Sequence, residues 1–550
     1  MVTKMNGWKN QKRWLIGVLC TLMSWQASAQ LLRTTVAQGE LEGVEEQGMG
    51  HFKGIPFAQP PVGDLRWKAP VPVAPWQGVY QAKQFKDKPY QQSQGQTRLG
   101  QPGMSEDCLY LNVLTPAKQA NEKRPVLVWI HGGGFATGAS WYDDGIHFAK
   151  AGLVYCAITY RLNVFGFLAL PELSAESERE TGRAISGNYG LMDQLMALRW
   201  IRENIAAFGG DPEKITIMGE SAGGISVAML CQSPLAKGLF RGAISESGGN
   251  MTPVSDRRID NNTMRNVKGS EAYGRAMMER LGLGKKSLKA LRKVDPAVFM
   301  RDSAAFSVGG SLWPCYDDYV ITTDAYRQYE AGNYNDVNVL MGINSDEGSM
   351  FAGFLGRFTP EQYAEQMNQS FPDPVWRQRF LEMYPGQTEQ EVFDSYSDIF
   401  RESVFAWPSY VWGNIQSART AAGQGQGKVY MYFFDQLRDN YFRRGQKTDR
   451  RYLTTHAAEL AFTFGHEAHR QTDPRHAAVS RMMFQYWVNF VRTGDPNGDG
   501  SENQPLPAWM PYQQGTESVL YFRDGAYLAP MPNQPQLDLW DAYFKAVRSK

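Results

Sequence analysis

The run Ile215–Met218 followed by Gly219-Glu220-Ser221-Ala222-Gly223-Gly224 constrains the fold of this chain more than any other stretch. Four apolar, β-prone residues read as a buried strand, and the small residues after Ser221 read as a helix able to pack closely on a sheet. A strand that passes into a helix through a single residue forces φ > 0 at that residue. Glycines two positions to either side remove the Cβ atoms that would collide there. The turn needs a sheet beneath it and a helix above it, which selects an α/β architecture and lifts the Ser221 hydroxyl above the end of the strand. G-x-S-x-G can also arise by chance in a chain with 54 glycines, so the reading depends on what else the sequence holds.

Upstream, Val126–Ile130 reads as a second buried strand that runs into His131-Gly132-Gly133-Gly134-Phe135. Consecutive glycines leave a bare backbone whose N–H groups can approach a developing negative charge closely. The bland alternative, a flexible turn, loses weight because such loops supply the second half of an oxyanion hole wherever a serine elbow follows. Gly133, Gly134 and Ala222 are the candidate donors.

A serine hydroxyl is a weak nucleophile at neutral pH and needs a base, which in turn needs an orienting carboxylate. Chain order in this architecture is serine, acid, histidine. Only His456, His466, His469 and His476 lie downstream of residue 221, and His456 best fits a loop following a strand, Lys428–Phe434. For the acid, Asp346-Glu347-Gly348 follows the apolar run Val337–Gly342, and the residues alone leave Asp346 and Glu347 open. No cofactor is required by this chemistry.

With these motifs in place the chain resembles the type-B carboxylesterases, relatives of the cholinesterases within the α/β-hydrolase fold. Ser105-Glu106-Asp107-Cys108-Leu109-Tyr110-Leu111-Asn112-Val113 is similar to one family signature. Gly187-Asn188-Tyr189-Gly190-Leu191-Met192-Asp193-Gln194, Phe208-Gly209-Gly210-Asp211-Pro212 and the serine elbow resemble another. The resemblance covers nearly the whole chain after its leader and implies Glu347 as the acid and His456, in His456-Ala457-Ala458-Glu459-Leu460, as the base. It also implies that Glu220 holds water and steadies the imidazolium; a structural alternative is a buried carboxylate satisfied by hydroxyls such as Ser247.

Three departures limit what the resemblance carries. Ala457 stands where the family usually has glycine, and Cys108 has no upstream cysteine to pair with after the leader. No aromatic residue lies between Gln91 and Met104, where cholinesterases place a tryptophan against a quaternary ammonium, so choline esters are disfavoured. Cys108, Cys156, Cys231 and Cys315 sit in apolar segments without metal spacing and read as buried thiols.

Other motifs lead to ordinary structure. His466 and His469 are three apart, whereas zinc-protease histidines are four apart. Asp495-Pro496-Asn497-Gly498-Asp499-Gly500 opens like a calcium loop, but Leu506 occupies the position of the bidentate glutamate. No metal is therefore expected.

The amino terminus has a basic region (Lys4, Lys9, Lys12, Arg13), an apolar stretch from Trp14 to Met23, and an Ala27-Ser28-Ala29 cleavage pattern. This reads as a signal peptide over residues 1–29, too short to anchor a membrane, and the mature chain is expected to be periplasmic or secreted with no membrane span. Its removal leaves 53 basic against 56 acidic residues, a balance that gives no footprint for nucleic acid.

Residues 30–550 are expected to form one catalytic domain with a mostly parallel central sheet flanked by helices. Helical and irregular insertions at about 255–330 and 350–425 would form a lid and pocket region. Phe351, Phe354, Phe358, Phe400, Phe405, Trp407, Tyr410 and Trp412 could line an apolar cleft there or pack as core. Leu537, Trp540, Phe544 and Val547 mark a terminal packing helix.

The function expected is a serine carboxylesterase working through an acyl-enzyme on apolar or aromatic esters, including small-molecule and glycan-linked plant esters. A lipase or thioesterase with the same three residues is the enzymatic alternative. A cell-surface binding protein of the same family would have lost the nucleophile.

Overall fold

A computed structural model describes residues 30–92, 102–252, 265–302, 312–355, 358–436, 454–469, 473–498 and 506–549. The expected leader lies outside the described residues, as do parts of both insertions.

An eleven-stranded mixed sheet organises the chain. Its strands are β1 (Val44–Glu46), β2 (Met49–Pro56), β3 (Tyr110–Thr115), β4 (Arg124–Ile130), β5 (Val154–Ile158), β6 (Gly210–Glu220), β7 (Gly242–Glu246), β8 (Asn338–Asn344), β9 (Val429–Phe434), β10 (Val519–Phe522) and β11 (Ala526–Ala529). Their spatial order is β11-β10-β9-β8-β7-β6-β4-β5-β3-β2-β1. The run from β10 through β5 is parallel, and antiparallel strands close both edges. The mostly parallel sheet read from the sequence is therefore correct, with β11 an unanticipated edge strand: Ala526–Ala529 is too short and half-exposed to announce itself.

Both faces of the sheet are covered, so central strands are apolar throughout rather than alternating. On β4, Val126, Val128 and Ile130 join one core with residues of helices α1 (Tyr189–Asn204) and α2 (Ala222–Gln232), including Leu195, Leu198 and Met229. Leu127 and Trp129 point to the opposite face, against Val479, Met483 and Trp487 of the helix Pro474–Thr493. Leu537, Trp540 and Phe544 of the terminal helix are buried, as the packing reading required.

Two buried ion pairs tie the loops to this frame. Arg161, after β5, grips Asp193 of α1 through both carboxylate oxygens, at 2.8 and 2.7 Å, and donates its own backbone N–H to the same group. Arg66 clamps Glu106 in the same bidentate manner and donates to the carbonyls of Leu291 and Val294. Charges this deeply placed persist only when paired, which accounts for Glu106 in one signature motif and Asp193 in the other.

Candidate active site

Ser221 sits between β6 and α2 with φ 56° and ψ −125°, in a region of backbone space that L-residues rarely occupy. Its neighbours explain the glycines. A Cβ at Gly219 would lie 2.4 Å from the carbonyl carbon of Gly223, and one at Gly223 would lie 2.0 Å from the carbonyl oxygen of Ile130. The strained turn is held from the next strand by the Ser221 N–H, which donates to the Glu246 carbonyl at 3.0 Å.

The triple-glycine loop passes directly over this elbow. A Cβ at Gly132 would be 3.2 Å from Cβ of Ser221, so only glycine allows the approach. Gly133 and Gly134 adopt φ 97° and 62°, and the loop is fixed by the Tyr160 hydroxyl donating to the His131 carbonyl at 2.8 Å and by Asn163 N–H donating to the Phe135 carbonyl at 2.7 Å. Among the described residues, the N–H groups of Gly133, Gly134 and Ala222 donate to no protein acceptor. Burial drives the pKa of His131 down to about 4, so this imidazole is neutral and adds no charge to the loop.

His456 and Glu347 meet across two loops at the carboxyl end of the sheet. Nδ1 of His456 lies 2.6 Å from Oε2 of Glu347, while Oε1 accepts the Ser247 hydroxyl at 2.5 Å and the Asn344 N–H at 2.7 Å. With both oxygens occupied, the carboxylate cannot rotate away. Asp346, which spacing left open, instead accepts from the N–H and hydroxyl of Ser349, at 3.2 and 2.6 Å, and caps the short helix Ser349–Leu355. Ala457 takes φ 63°, the conformation that a glycine would adopt without strain.

Nε2 of His456 lies 3.2 Å from Oε1 of Glu220, the residue before Ser221, at an angle that does not make a hydrogen bond. This corrects the structural reading of Glu220. Ser247 does not satisfy it, because Ser247 follows β7 with φ 47° and its hydroxyl is directed to Glu347 on the neighbouring loop. Burial lifts the Glu220 pKa to about 8. Burial works against a charge on His456, yet Glu220 and Glu347 outweigh it and raise its pKa to about 9.

Of the insertion aromatics, two touch the imidazole: Phe405 stacks on it with centroids 4.8 Å apart, and Phe351 meets it edge-on at 5.1 Å. Phe405 belongs to a π-helical turn, Arg401–Ala406, between the helices Glu389–Phe400 and Trp407–Ala421. Phe400 backs Phe351, whereas Phe358, Trp407, Tyr410 and Trp412 pack away from the imidazole, Trp407 on Phe544 for instance. The Phe354 and His469 side chains lie outside the described residues. His466 and His476 pack against Phe464 and Phe462. The four cysteines expected as buried thiols are buried and unpaired. The sequence offers Phe351 and Phe405 only among eight insertion aromatics and gives no signal for Asn344, because their contacts to this site join segments far apart in the chain.

A serine on a strand-to-helix elbow at the carboxyl end of a central parallel strand, with a histidine and an acid on the loops after later strands, defines an α/β-hydrolase. Residues 30–540 match the carboxylesterase family. The chain is 35% identical over 387 residues to a fumonisin B1 esterase of Sphingopyxis macrogoltabida, covering 68% of this chain and 67% of that protein. It is 29% identical over 514 residues to a para-nitrobenzyl esterase of Bacillus subtilis (strain 168), covering 88% and 94%. It is 31% identical over 542 residues to carboxylesterase 1D of Rattus norvegicus, covering 91% of each. The chain belongs to the carboxylesterase family and is a carboxylic ester hydrolase. No helix among the described residues is long and apolar enough to cross a membrane.

Proposed function

We propose that this protein is a secreted or periplasmic serine esterase, one catalytic domain behind a cleaved leader, that hydrolyses apolar or aromatic carboxylic esters through an acyl-enzyme. The observation that carries the reading is the anchoring of His456 by Glu347 at 2.6 Å on one side, with its other nitrogen facing the Glu220-Ser221 elbow. Glu347 fixes the tautomer in which Nε2 of the neutral imidazole can take a proton; with the His456 pKa raised to about 9, that form of the free enzyme grows as pH rises towards 9.

His456 Nε2 accepts the Ser221 proton as Oγ bonds to the ester carbonyl carbon. The carbonyl oxygen becomes an oxyanion held by the N–H groups of Gly133, Gly134 and Ala222, which are free of protein acceptors. The carbon–oxygen bond to the alcohol then breaks, and the alcohol leaves with the proton from His456. Water repeats the sequence and frees the acid and Ser221. Phe351 and Phe405 make the surroundings of the imidazole apolar, which favours apolar or aromatic ester groups, plant-derived ones among them. The para-nitrobenzyl esterase among the relatives fits that class.

Ser221→Ala should lower kcat on a p-nitrophenyl ester by about a million-fold and abolish labelling by an organophosphate. Retained turnover would refute the assignment of Ser221. A panel of short-acyl, long-acyl, aromatic, feruloyl and acetyl-sugar esters, compared by kcat/KM, tests the substrate class; a preference for long-acyl chains would identify a lipase instead.

A further inference from the structure

Beside His456 the structure buries a group of carboxyls that the reaction above does not use. Glu220 on β6 is in register with Glu246 on β7, Glu246 with Gly342 on β8, and Gly342 with Tyr432 on β9. In-register residues of parallel strands point to the same face, so Glu220, Glu246 and Tyr432 form one row, and Gly342 leaves a gap in it. A Cβ at Gly342 would collide with the Tyr432 carbonyl oxygen at 2.3 Å and its ring at 2.4 Å. Glu459, three residues after His456, accepts from the Asn344 side-chain amide at the same end of β8. Trp487 covers the row from the helix Pro474–Thr493 and donates to Oε1 of Glu246 at 2.5 Å.

Five oxygens in this group are buried and have no hydrogen-bond partner among the described residues: Glu220 Oε1, which faces His456 Nε2 at 3.2 Å, Glu246 Oε2, Glu459 Oε1, Asn344 Oδ1 and the Tyr432 hydroxyl. Orphaned buried oxygens at this density are costly unless protons or internal water join them. Three carboxyls in addition to Glu347 cannot all be ionised in so dry a space. Burial accordingly holds Glu220 up at about 8, Glu459 at about 7 and Glu246 well above the usual carboxylate range. Asp143 adds a further negative group, raised to about 6 by burial and held by the Trp129 indole at 2.9 Å. The indole of Trp487 marks Oε1 of Glu246 as an acceptor. Oε2 is left as the oxygen that can carry a proton towards the orphaned acceptors.

We propose that Glu246 and Glu459 are positioning residues for His456, sharing protons with Glu220 so that negative charge is available beside the imidazole when it becomes cationic. In each transfer the O–H bond of one carboxyl breaks as that of another forms, directly or through internal water, and the total charge of the group is unchanged. The proposal rests on His456 being the base for Ser221.

The test is the pH dependence of kcat/KM for wild type, Glu246→Gln, Glu459→Gln and the double variant on a soluble p-nitrophenyl ester. An amide is close to isosteric with a carboxyl but neither ionises nor relays a proton. Losing a share of negative charge makes imidazolium less stable, so the acid limb should move to lower pH, by about half to one unit in each single variant. The double variant should shift by less than the sum, because the two groups draw on one pool of protons. Infrared spectra of the wild type should show the carbonyl band of a protonated carboxyl at neutral pH, weakened in each variant.

An acid limb that stays put in both single variants, or the absence of that band, overturns the proposal and reduces the group to packing. Glu459→Gln keeps the test alive if the Glu246 variant does not fold. Organophosphate labelling of Ser221 in each variant separates this outcome from failure of the catalytic assignment, since labelling persists if Ser221 and His456 still work together.

Discussion

Replacing Gly223 by alanine puts the strained elbow to a quantitative test. The new methyl would stand 2.0 Å from the Ile130 carbonyl oxygen, far inside the 3.4 Å at which ordinary contact begins, and 3.0 Å from the His131 carbonyl carbon. Neither atom is on a flexible side chain; both belong to the backbone where β4 enters the triple-glycine loop. The helix α2 and this loop must therefore separate, by about 1 Å or more. Overpacking of this kind costs about 1–3 kcal/mol of stability. Its effect on rate is larger, because Ala222 N–H moves relative to Gly133 and Gly134, and a misplacement of about 1 Å lowers turnover by about 100-fold. The assays are kcat and KM on a p-nitrophenyl ester, titration of reactive serine, and thermal unfolding. Gly353→Ala is the control: this exposed glycine lies in the short helix Ser349–Leu355 with nothing within 4 Å of an added Cβ, so it should keep full activity and gain up to about 1 kcal/mol. A Gly223→Ala enzyme with unchanged kcat and melting temperature would refute the argument that the elbow and the glycine loop are in rigid contact.

Asp193→Ala should destabilise the protein by about 3–5 kcal/mol, read from urea unfolding, because it strands the buried Arg161 guanidinium; Asp193→Asn should recover part of the loss through the remaining hydrogen bonds. The stability of the free enzyme should also depend on alkaline pH. His456 binds its proton more tightly folded, with a pKa of about 9, than unfolded, near the ordinary imidazole value of 6.5. Its contribution is full below pH 6.5 and is lost as pH rises to about 9. Glu220, raised from 4.5 to about 8, acts in the same direction because the folded state again holds the extra proton. The melting temperature should therefore fall between pH 6.5 and 9, and His456→Gln should flatten that slope; a rising or flat profile in the wild type would contradict the charge arrangement described here.

The parts of the fold that could be read from the chain are those governed by short-range rules. The apolar runs at 126–130 and 215–218 lie within observed strands, and the run at 428–434 starts one residue ahead of the strand Val429–Phe434, because strand ends are set by partners and not by composition. Partnerships between distant residues were less legible. Spacing could not separate Asp346 from Glu347, and only the fold shows one carboxylate capping a helix and the other against His456. The sequence offers Ser247 as a partner for Glu220, since nothing local reveals that its positive φ turns the hydroxyl towards the next loop. Most of the insertion aromatics are packing, while Phe405 reaches the imidazole from a π-helical turn, an irregularity that has no sequence signature.

What the sequence determined alone is chemistry that must be local: a serine between glycines that permit a forbidden turn, and glycines that bare a backbone. Steric exclusion acts over a few residues, so it is written in a few residues. Tertiary structure decided which carboxylate meets His456, which oxygens are left buried without partners, and how Glu220, Glu246 and Tyr432 come to share one row. Those outcomes follow from strand register and burial, which depend on the whole sheet closing around them and so cannot be read from any one segment.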